Sequence, residues 1–296
     1  MTPKPKLSIV IPTFNRKDSI LHVLTSLTEQ DAGGIDCSII VVVDGSTDGT
    51  QQAIRTRFPD VILVEGTGHW WWTKSVNEGC RKAVENHSDA VLLLNDDIDL
   101  DDHFLRALIQ AHHREPQAVI GSLNVTHEPE KKIFFSGSAA MGWWNGTLER
   151  YHPFLSPYDG TLTGLHPTIV APGRGLLIPV SVFETIGYFD EKGLPQYKAD
   201  YDFVLRAHKR GIPCRVSWDA VVWVHVETSG KGATFTKGSL ASFIRSLFQT
   251  HSRVNVYRNW IYYKRHYPWR AFPFLPFAAC RILIRQLHAF LNQKKY

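Results

Sequence analysis

The feature that most constrains the fold of this 296-residue chain lies in its first hundred positions. Short apolar, β-branched runs alternate there with segments of helical period, and each run stops at a polar cluster. Residues 7–11 form one such run and end at Pro12. Residues 18–27 then place Ile20, Leu21, Leu24 and Leu27 on one helical face. A second run, 39–43, closes on the turn signal Asp44-Gly45-Ser46-Thr47-Asp48-Gly49. Residues 61–64 read as a third strand and 74–85 as a helix. A fourth strand, 90–94, breaks into Asn95-Asp96-Asp97-Ile98-Asp99. Strand-helix alternation of this kind predicts an α/β fold, a Rossmann-like and mostly parallel sheet flanked by helices. Ligands bind such sheets beyond the carboxyl ends of the strands, where these polar clusters sit.

The second half is less regular. Residues 118–170 mix short strands with Gly, Pro and aromatics, as in a sheet extension with long functional loops. Helices are predicted over 180–186 and 201–210, and a buried strand over 221–226 ending near His225. The sequence reads as a fused domain over 1–240, with halves meeting near 115, followed by a basic helical extension over 241–296. Hydrophobic residues make up 44% and charged residues 21%, enough apolar material for a sizeable core, which argues against disorder. The formal charge of +5 is uneven: acids gather at 89–102, whereas Arg, Lys and His crowd the chain from 245 onward. An anionic partner for that tail is expected; nucleic acid has no motif support, so an acidic membrane surface fits better. Cys37, Cys80, Cys214 and Cys280 are widely spaced with no C-x-x-C pair, the pattern of reduced thiols in a cytoplasmic setting. Neither a signal peptide nor a run of roughly 18–20 apolar residues is present.

Four clusters carry candidate chemistry. Asn95-Asp96-Asp97-Ile98-Asp99 at a strand end offers crowded oxygen ligands suited to Mg²⁺ or Mn²⁺, or else a solvated loop capping a helix that begins near Asp101. Asp200 and Asp202 in Lys198-Ala199-Asp200-Tyr201-Asp202-Phe203 offer a general base, or else helix capping and dipole complementation. His225, near the end of an apolar strand, fits either a metal shell or a satisfied edge residue. Trp70-Trp71-Trp72 and Trp143-Trp144 present flat faces for sugar rings, or packing anchors.

Taken in order, these segments resemble the inverting family 2 glycosyltransferases of GT-A fold. The resemblance covers about residues 6–230 and rests on Ser8-Ile9-Val10-Ile11-Pro12-Thr13-Phe14-Asn15-Arg16, on 41–50, on 68–79, on Leu92-Leu93-Leu94-Asn95-Asp96-Asp97, on 173–179 with 187–191, and on Asp200-Tyr201-Asp202. Tyr257-Arg258-Asn259 is similar to a further family segment. The resemblance implies a nucleotide-sugar donor site built from Pro12, Thr13, Asn15, Asp44, Trp72, Lys74, Asn77, Asp96 and Arg174. It implies a divalent metal, Mg²⁺ or Mn²⁺, held by Asp97 with Asp96 or His225. Asp200 is the base it implies, with Asp202 as second catalytic candidate. Three departures stand out. Val43 replaces an acidic residue before Asp44, Ala199 replaces Glu before Asp200, and the metal motif reads as either Asn95-Asp96-Asp97 or Asp97-Ile98-Asp99.

Within the family, the Trp-Trp-Thr segment at 71–73 and Asp200-Tyr201-Asp202-Phe203 are most similar to bacterial rhamnosyltransferases. That implies a dTDP-rhamnose donor, a glycan or lipid-linked glycan acceptor, and a role in surface-polysaccharide assembly. Ile282, Leu283, Ile284, Leu287, Phe290 and Leu291 share a predicted helix with Arg281, Arg285, Lys294 and Lys295. Such a helix fits peripheral contact with the cytoplasmic face of the inner membrane, or packing on the domain or on a second subunit as a homodimer. Two rivals are weaker. A non-catalytic carbohydrate-binding protein has no use for the carboxylates at 96, 97, 200 and 202, and a nucleotidyltransferase wants a Gly-rich basic loop where Pro12-Thr13-Phe14-Asn15 stands. The absence of G-x-G-x-x-G excludes a nicotinamide dehydrogenase.

Overall fold

The computed structural model describes residues 5–127, 130–142, 147–225, 245, 247–250, 252 and 255–266. Its first half is the parallel unit expected. Strands β1 (Lys6–Thr13), β2 (Asp36–Val43), β3 (Ile62–Glu65) and β4 (Ala90–Leu93) lie in the order β4-β1-β2-β3, all parallel. Helices α1 (Lys17–Thr28), α2 (Thr50–Arg57) and α3 (Trp71–Glu85) make the crossovers.

The second half extends the same sheet with antiparallel partners. After the short β5 (Ile98–Leu100) and helix α4 (Phe104–Arg114) come β6 (Val119–Thr126), β7 (Ile133–Phe135), a separate hairpin of β8 (Ser138–Met141) with β9 (Leu148–Arg150), and β10 (Leu165–Pro167). Then follow β11 (Leu176–Pro179), α5 (Val180–Ile186), α6 (Ala199–Lys209), β12 (Cys214–Val224) and α7 (Val256–His266). β11 runs antiparallel between β4 and β6 and so welds the halves into one ten-stranded sheet. β12 lies parallel to β6, with β5 and β10 antiparallel to it.

Side-chain alternation along each strand feeds two layers. Ile9, Ile11, Val41 and Leu92 pack with Ile20 and Leu24 of α1 and Leu108 of α4 on one face. Val10, Ile40, Val42, Val91 and Leu93 pack with Val76 and Cys80 of α3 and Phe203 of α6 on the other. Cys37, Cys80 and Cys214 are free thiols, and burial raises the pKa of each. No helix among the described residues is long and apolar enough to cross a membrane.

Several boundaries differ from the periodicity reading. α3 begins at Trp71 rather than 74, because the Asp44 carboxylate reaches across to accept the N–H groups of Trp70 and Trp71 at 2.8 and 3.2 Å. A distant acid thus does the work of a local cap, satisfying donors that a helix start leaves open. α4 begins at Phe104, not near Asp101, because Ile98–Leu100 first pairs with β12. β12 begins at Cys214, where polar residues interrupt the apolar pattern. Trp143, Trp144, residues 226–229 and the tail positions 281–295 lie outside the described residues.

α3 approaches the sheet most closely at Gly79, where an added Cβ would overlap Val10 Cγ1 and come within 3.0 Å of Val42 Cγ2. Gly79→Val should therefore lower the denaturant midpoint. Overpacking costs about 1–3 kcal/mol, against a helix-propensity gain of less than about 1 kcal/mol. Urea unfolding of both proteins at constant m-value is the check.

Candidate active site

The carboxyl ends of β1, β2 and β4 open onto one cleft. Thr13, the last residue of β1, donates its hydroxyl to Asp96 Oδ2 at 2.7 Å. Arg16 Nη1 donates to Asp96 Oδ1 at 3.1 Å and lies 3.3 Å from Asp97 Oδ2, so a single guanidinium bridges both acids. Burial pushes the Asp96 carboxyl up to about 6, with Arg16 and Thr13 pulling it back. Adjacent carboxylates at a strand end that share one cation form an oxygen-only donor set, and such a set fits a hard divalent ion. Asn15, in the left-handed region at φ 50, knits this loop to the next. Its Oδ1 accepts the Thr47 N–H at 2.8 Å and its own N–H donates to Ser46 Oγ at 2.9 Å.

Asp44 was expected to contact the nucleotide, but its buried carboxylate is committed to backbone. Oδ1 accepts from Gly68 N at 2.7 Å, and Oδ2 takes the two tryptophan N–H groups. Its role here is to shape the 66–71 turn. Asn77 is the clearest correction. It has no open face to a ligand: its amide nitrogen donates to Phe189 O at 2.9 Å and its oxygen accepts Phe189 N–H at 3.0 Å, fully buried. A polar residue on the inner helix face was read as a ligand contact when it is a brace between α3 and the loop before α6. Trp72 does face the cleft: its indole N–H reaches Asn95 Oδ1 at 3.3 Å, and its ring lies so close to Gly173 that a Cβ there would overlap it. Lys74 stands over the Trp70 ring at 5.1 Å.

Asp200 and Asp202 separate sharply. Asp200, half-buried in the first turn of α6, accepts Gly173 N–H on Oδ2 at 3.0 Å and Tyr201 N–H on Oδ1 at 2.9 Å. Burial raises its pKa, and those two N–H groups and Arg174 only partly offset the shift. Asp202, the second catalytic candidate, has no surface exposed to a substrate. Arg206 Nε at 2.9 Å, Arg265 Nη1 at 2.7 Å and His266 Nε2 at 2.8 Å all converge on its carboxylate. Burial works to raise its pKa, but His266, Arg206 and Arg265 outweigh it and hold the group below its ordinary value.

The partners of Asp202 bring α7 into the site, which motif reading on α6 alone missed. Arg265 also reaches Asp190 at 2.8 Å, and Arg258 donates to the carbonyls of Lys192 and Gly193 at 2.6 and 3.1 Å. Lys198, in the left-handed region at φ 68 just before α6, hydrogen-bonds Asn259 and stands over the Tyr262 and Tyr263 rings at 4.7 and 4.4 Å. Burial lowers its pKa to about 7. The one sequence signal for this brace was Tyr257-Arg258-Asn259.

His225 does not join Asp96 and Asp97 here. Its Nε2 lies 3.0 Å from Asp99 Oδ2, and its ring stacks on His127, which approaches the same oxygen at 3.3 Å; His22 takes Oδ1 at 2.7 Å. These imidazoles converge on carboxylate oxygens and not on a common empty point, and among the described residues no group of three or more His, Cys, Asp or Glu is arranged to hold a metal ion. The structure therefore ties Asp97 to the Asp96 side and Asp99 to the histidines.

The chain as a whole is similar to known proteins. Residues 8–185 match the model of Glycosyl transferase family 2. The chain is 25% identical over 207 residues to the low-salt glycan biosynthesis hexosyltransferase Agl10 of Haloferax volcanii, covering 70% of this chain and 62% of that protein. It is 26% identical over 223 residues to the N-acetylglucosaminyl-diphospho-decaprenol L-rhamnosyltransferase of Mycobacterium tuberculosis, covering 69% and 71%. The chain spans 50% and 54% of the length of two validoxylamine A glucosyltransferases of Streptomyces hygroscopicus, to each of which it is 25% identical over 236 residues. In fold it is similar to the crystal structure of GalNAc-T7 with UDP, GalNAc and Mn²⁺, with a TM-score of 0.61 at 14% identity, covering 83% of this chain and 48% of that one.

The Asp202 cluster generates a pH-dependent expectation. A carboxyl whose folded pKa is depressed adds stability that is present above its unfolded pKa, about 3.9, and is lost as pH falls through the folded value. Asp202→Ala should cost about 1–3 kcal/mol at pH 7 by removing the shared acceptor of Arg206, Arg265 and His266. The difference from wild type should shrink below about pH 4, as read by urea denaturation across pH.

Proposed function

Because the chain belongs to glycosyl transferase family 2, we propose that it moves one sugar from a nucleotide-sugar donor to a hydroxyl of a glycan or lipid-linked glycan, inverting the anomeric centre. One observation carries this reading. Asp200 is held by two backbone N–H groups, is ion-paired to no cation among the described residues, and has a raised pKa. A carboxylate so placed accepts the proton of an attacking hydroxyl. The proton passes from the acceptor oxygen to Asp200 as that oxygen bonds to the anomeric carbon and the bond to the nucleoside diphosphate breaks. Asp202 then serves only to anchor α6. Pro12, Thr13 and Asn15 line the nucleotide side, with Asp44 acting through the turn it shapes, while Trp72, Lys74 and Arg174 flank the diphosphate and sugar. Asp97, with Asp96 or His225 after side-chain rearrangement, would hold a divalent ion, which supplies charge neutralisation to the diphosphate leaving group. The rhamnosyl relative makes dTDP-rhamnose the first donor to test, and surface-polysaccharide assembly the setting in which to look for the acceptor.

Thermal stabilisation by a panel of nucleoside diphosphates, with and without Mn²⁺, tests the donor half. Binding to the folded state alone must raise the Tm. One nucleotide should stabilise, more so with metal, and Asp97→Ala should abolish the metal increment; a Tm indifferent to every nucleotide would sink the reading. Asp200→Asn should lower kcat by about 10²–10⁴-fold with nucleotide binding kept. In wild type, kcat should fall as pH drops through a value above that of an ordinary carboxylate. Proton NMR of the product should show the inverted anomer.

A further inference from the structure

One residue beyond the N–H that holds Asp200, Arg174 leads into a second feature whose other members the proposed chemistry does not use. The Arg174 guanidinium lies over the Phe134 ring at 5.3 Å, Phe134 meets Phe154 edge to face at 5.2 Å, and the Arg150 guanidinium lies over Phe154 at 5.3 Å. Two adjacent rings, with a cation at either end, thus line the face beside the base. Arg150 and Arg174 are both close enough to Tyr201, at the start of α6, to act on it electrostatically. Among the described residues no carboxylate pairs with Arg150. The turn that carries Phe154 is unusual in a second, independent way. Phe154 is 52% and Leu155 41% exposed, and Leu155 sits at φ 63, a conformation that disfavours branched side chains. The turn is nevertheless pinned: Leu155 N–H donates to Ile133 O at 2.9 Å, and Ile133 N–H to Ser156 O at 2.8 Å. Strain kept in place to hold two apolar side chains in water marks a surface made for a ligand.

We propose that Arg150, Phe134, Phe154 and Leu155 form an acceptor subsite for an isoprenoid diphosphate carrying the sugar to be extended. This rests on Asp200 being the base. The Arg150 guanidinium matches a diphosphate, which it binds in forked, charge-assisted fashion. Phe154 and Leu155 meet the first isoprene units. A free glycan can stack on the Phe154 ring but has no use for Leu155 beside it, and a neutral lipid has none for Arg150.

The test uses the full chain and isothermal titration calorimetry with farnesyl diphosphate, farnesol and inorganic pyrophosphate, all below micellar concentration. Each is measured with and without a saturating amount of whichever nucleoside diphosphate raises the Tm. Farnesyl diphosphate should bind in both conditions, at least tenfold tighter than either fragment. Arg150→Ala and Phe154→Ser should each weaken it at least tenfold while leaving nucleotide binding as in wild type. Leu155→Gly relieves the backbone strain, so it should keep or raise the Tm while weakening farnesyl diphosphate at least threefold. Displacement of farnesyl diphosphate by nucleotide would overturn the subsite, because the probe would then lie in the donor cleft. So would wild-type affinity in all three variants, no binding, or pyrophosphate or farnesol binding as tightly as the whole. Nucleotide stabilisation without farnesyl diphosphate binding would dismiss the subsite and leave the transferase reading standing; the reverse pattern would remove the transferase reading and its base.

Discussion

A carboxylate withdrawn from water must be met by donors or lose its charge, and this constraint organises the whole cleft. Four acids meet it in four ways. Asp44 is satisfied by backbone N–H groups of one turn, and it shapes that turn and starts α3. Asp96 is met by a hydroxyl and by a guanidinium it shares with Asp97. Asp202 is enclosed by two arginines and a histidine. Asp200 receives two amide N–H groups and, among the described residues, no ion-paired cation. The same side chain therefore becomes a scaffold, a shared ligand, an anchor or a base according to its partners. The first and third roles make the other two geometrically possible.

The anchor depends on an imidazole that stays neutral. Burial lowers the pKa of His266 against the pull of Asp202. Its Nδ1 has no hydrogen-bond partner among the described residues. That arrangement suits the tautomer with the proton on Nε2, which donates to Asp202, because an unmet acceptor lone pair is easier to bury than an unmet N–H. With Arg206 reaching the carbonyls of Ile186 and Tyr188 at 2.7 and 2.9 Å, the cluster ties α5, α6 and α7 together behind the base.

Most of the parallel unit was legible because its signals are local. Residues 39–43 are β-branched and run into Asp44-Gly45, and Ile20, Leu21 and Leu24 keep helical spacing. The polar strand ends that mark the cleft follow from that topology. Signals that depend on partners distant in sequence were not legible. β5 is three residues long and exists because β12 lies beside it. Asn77 and Asp44 are polar residues next to a cleft, and nothing in their neighbourhoods says that their partners are the backbone of Phe189 and of residues 68–71. Ranking Asp200 against Asp202 needed Arg265 and His266, more than 60 residues downstream. The imidazoles around Asp99 likewise come from three separate segments.

The brace from α7 also bears on the order in which the protein is made. A ribosome delivers about 5–20 residues each second, so β1 to β4 and their helices emerge well before Val256–His266. Until α7 arrives, α6 carries Asp202 with Arg206 as its one ion-paired partner among the described residues, and Lys198 lacks Asn259, Tyr262 and Tyr263. Assembly of the cleft thus runs from the nucleotide side toward the base. A nascent chain stopped short of residue 256 already holds the walls of the site and the N–H donors of Asp200, while the helix that carries Asp200 still lacks its brace from behind.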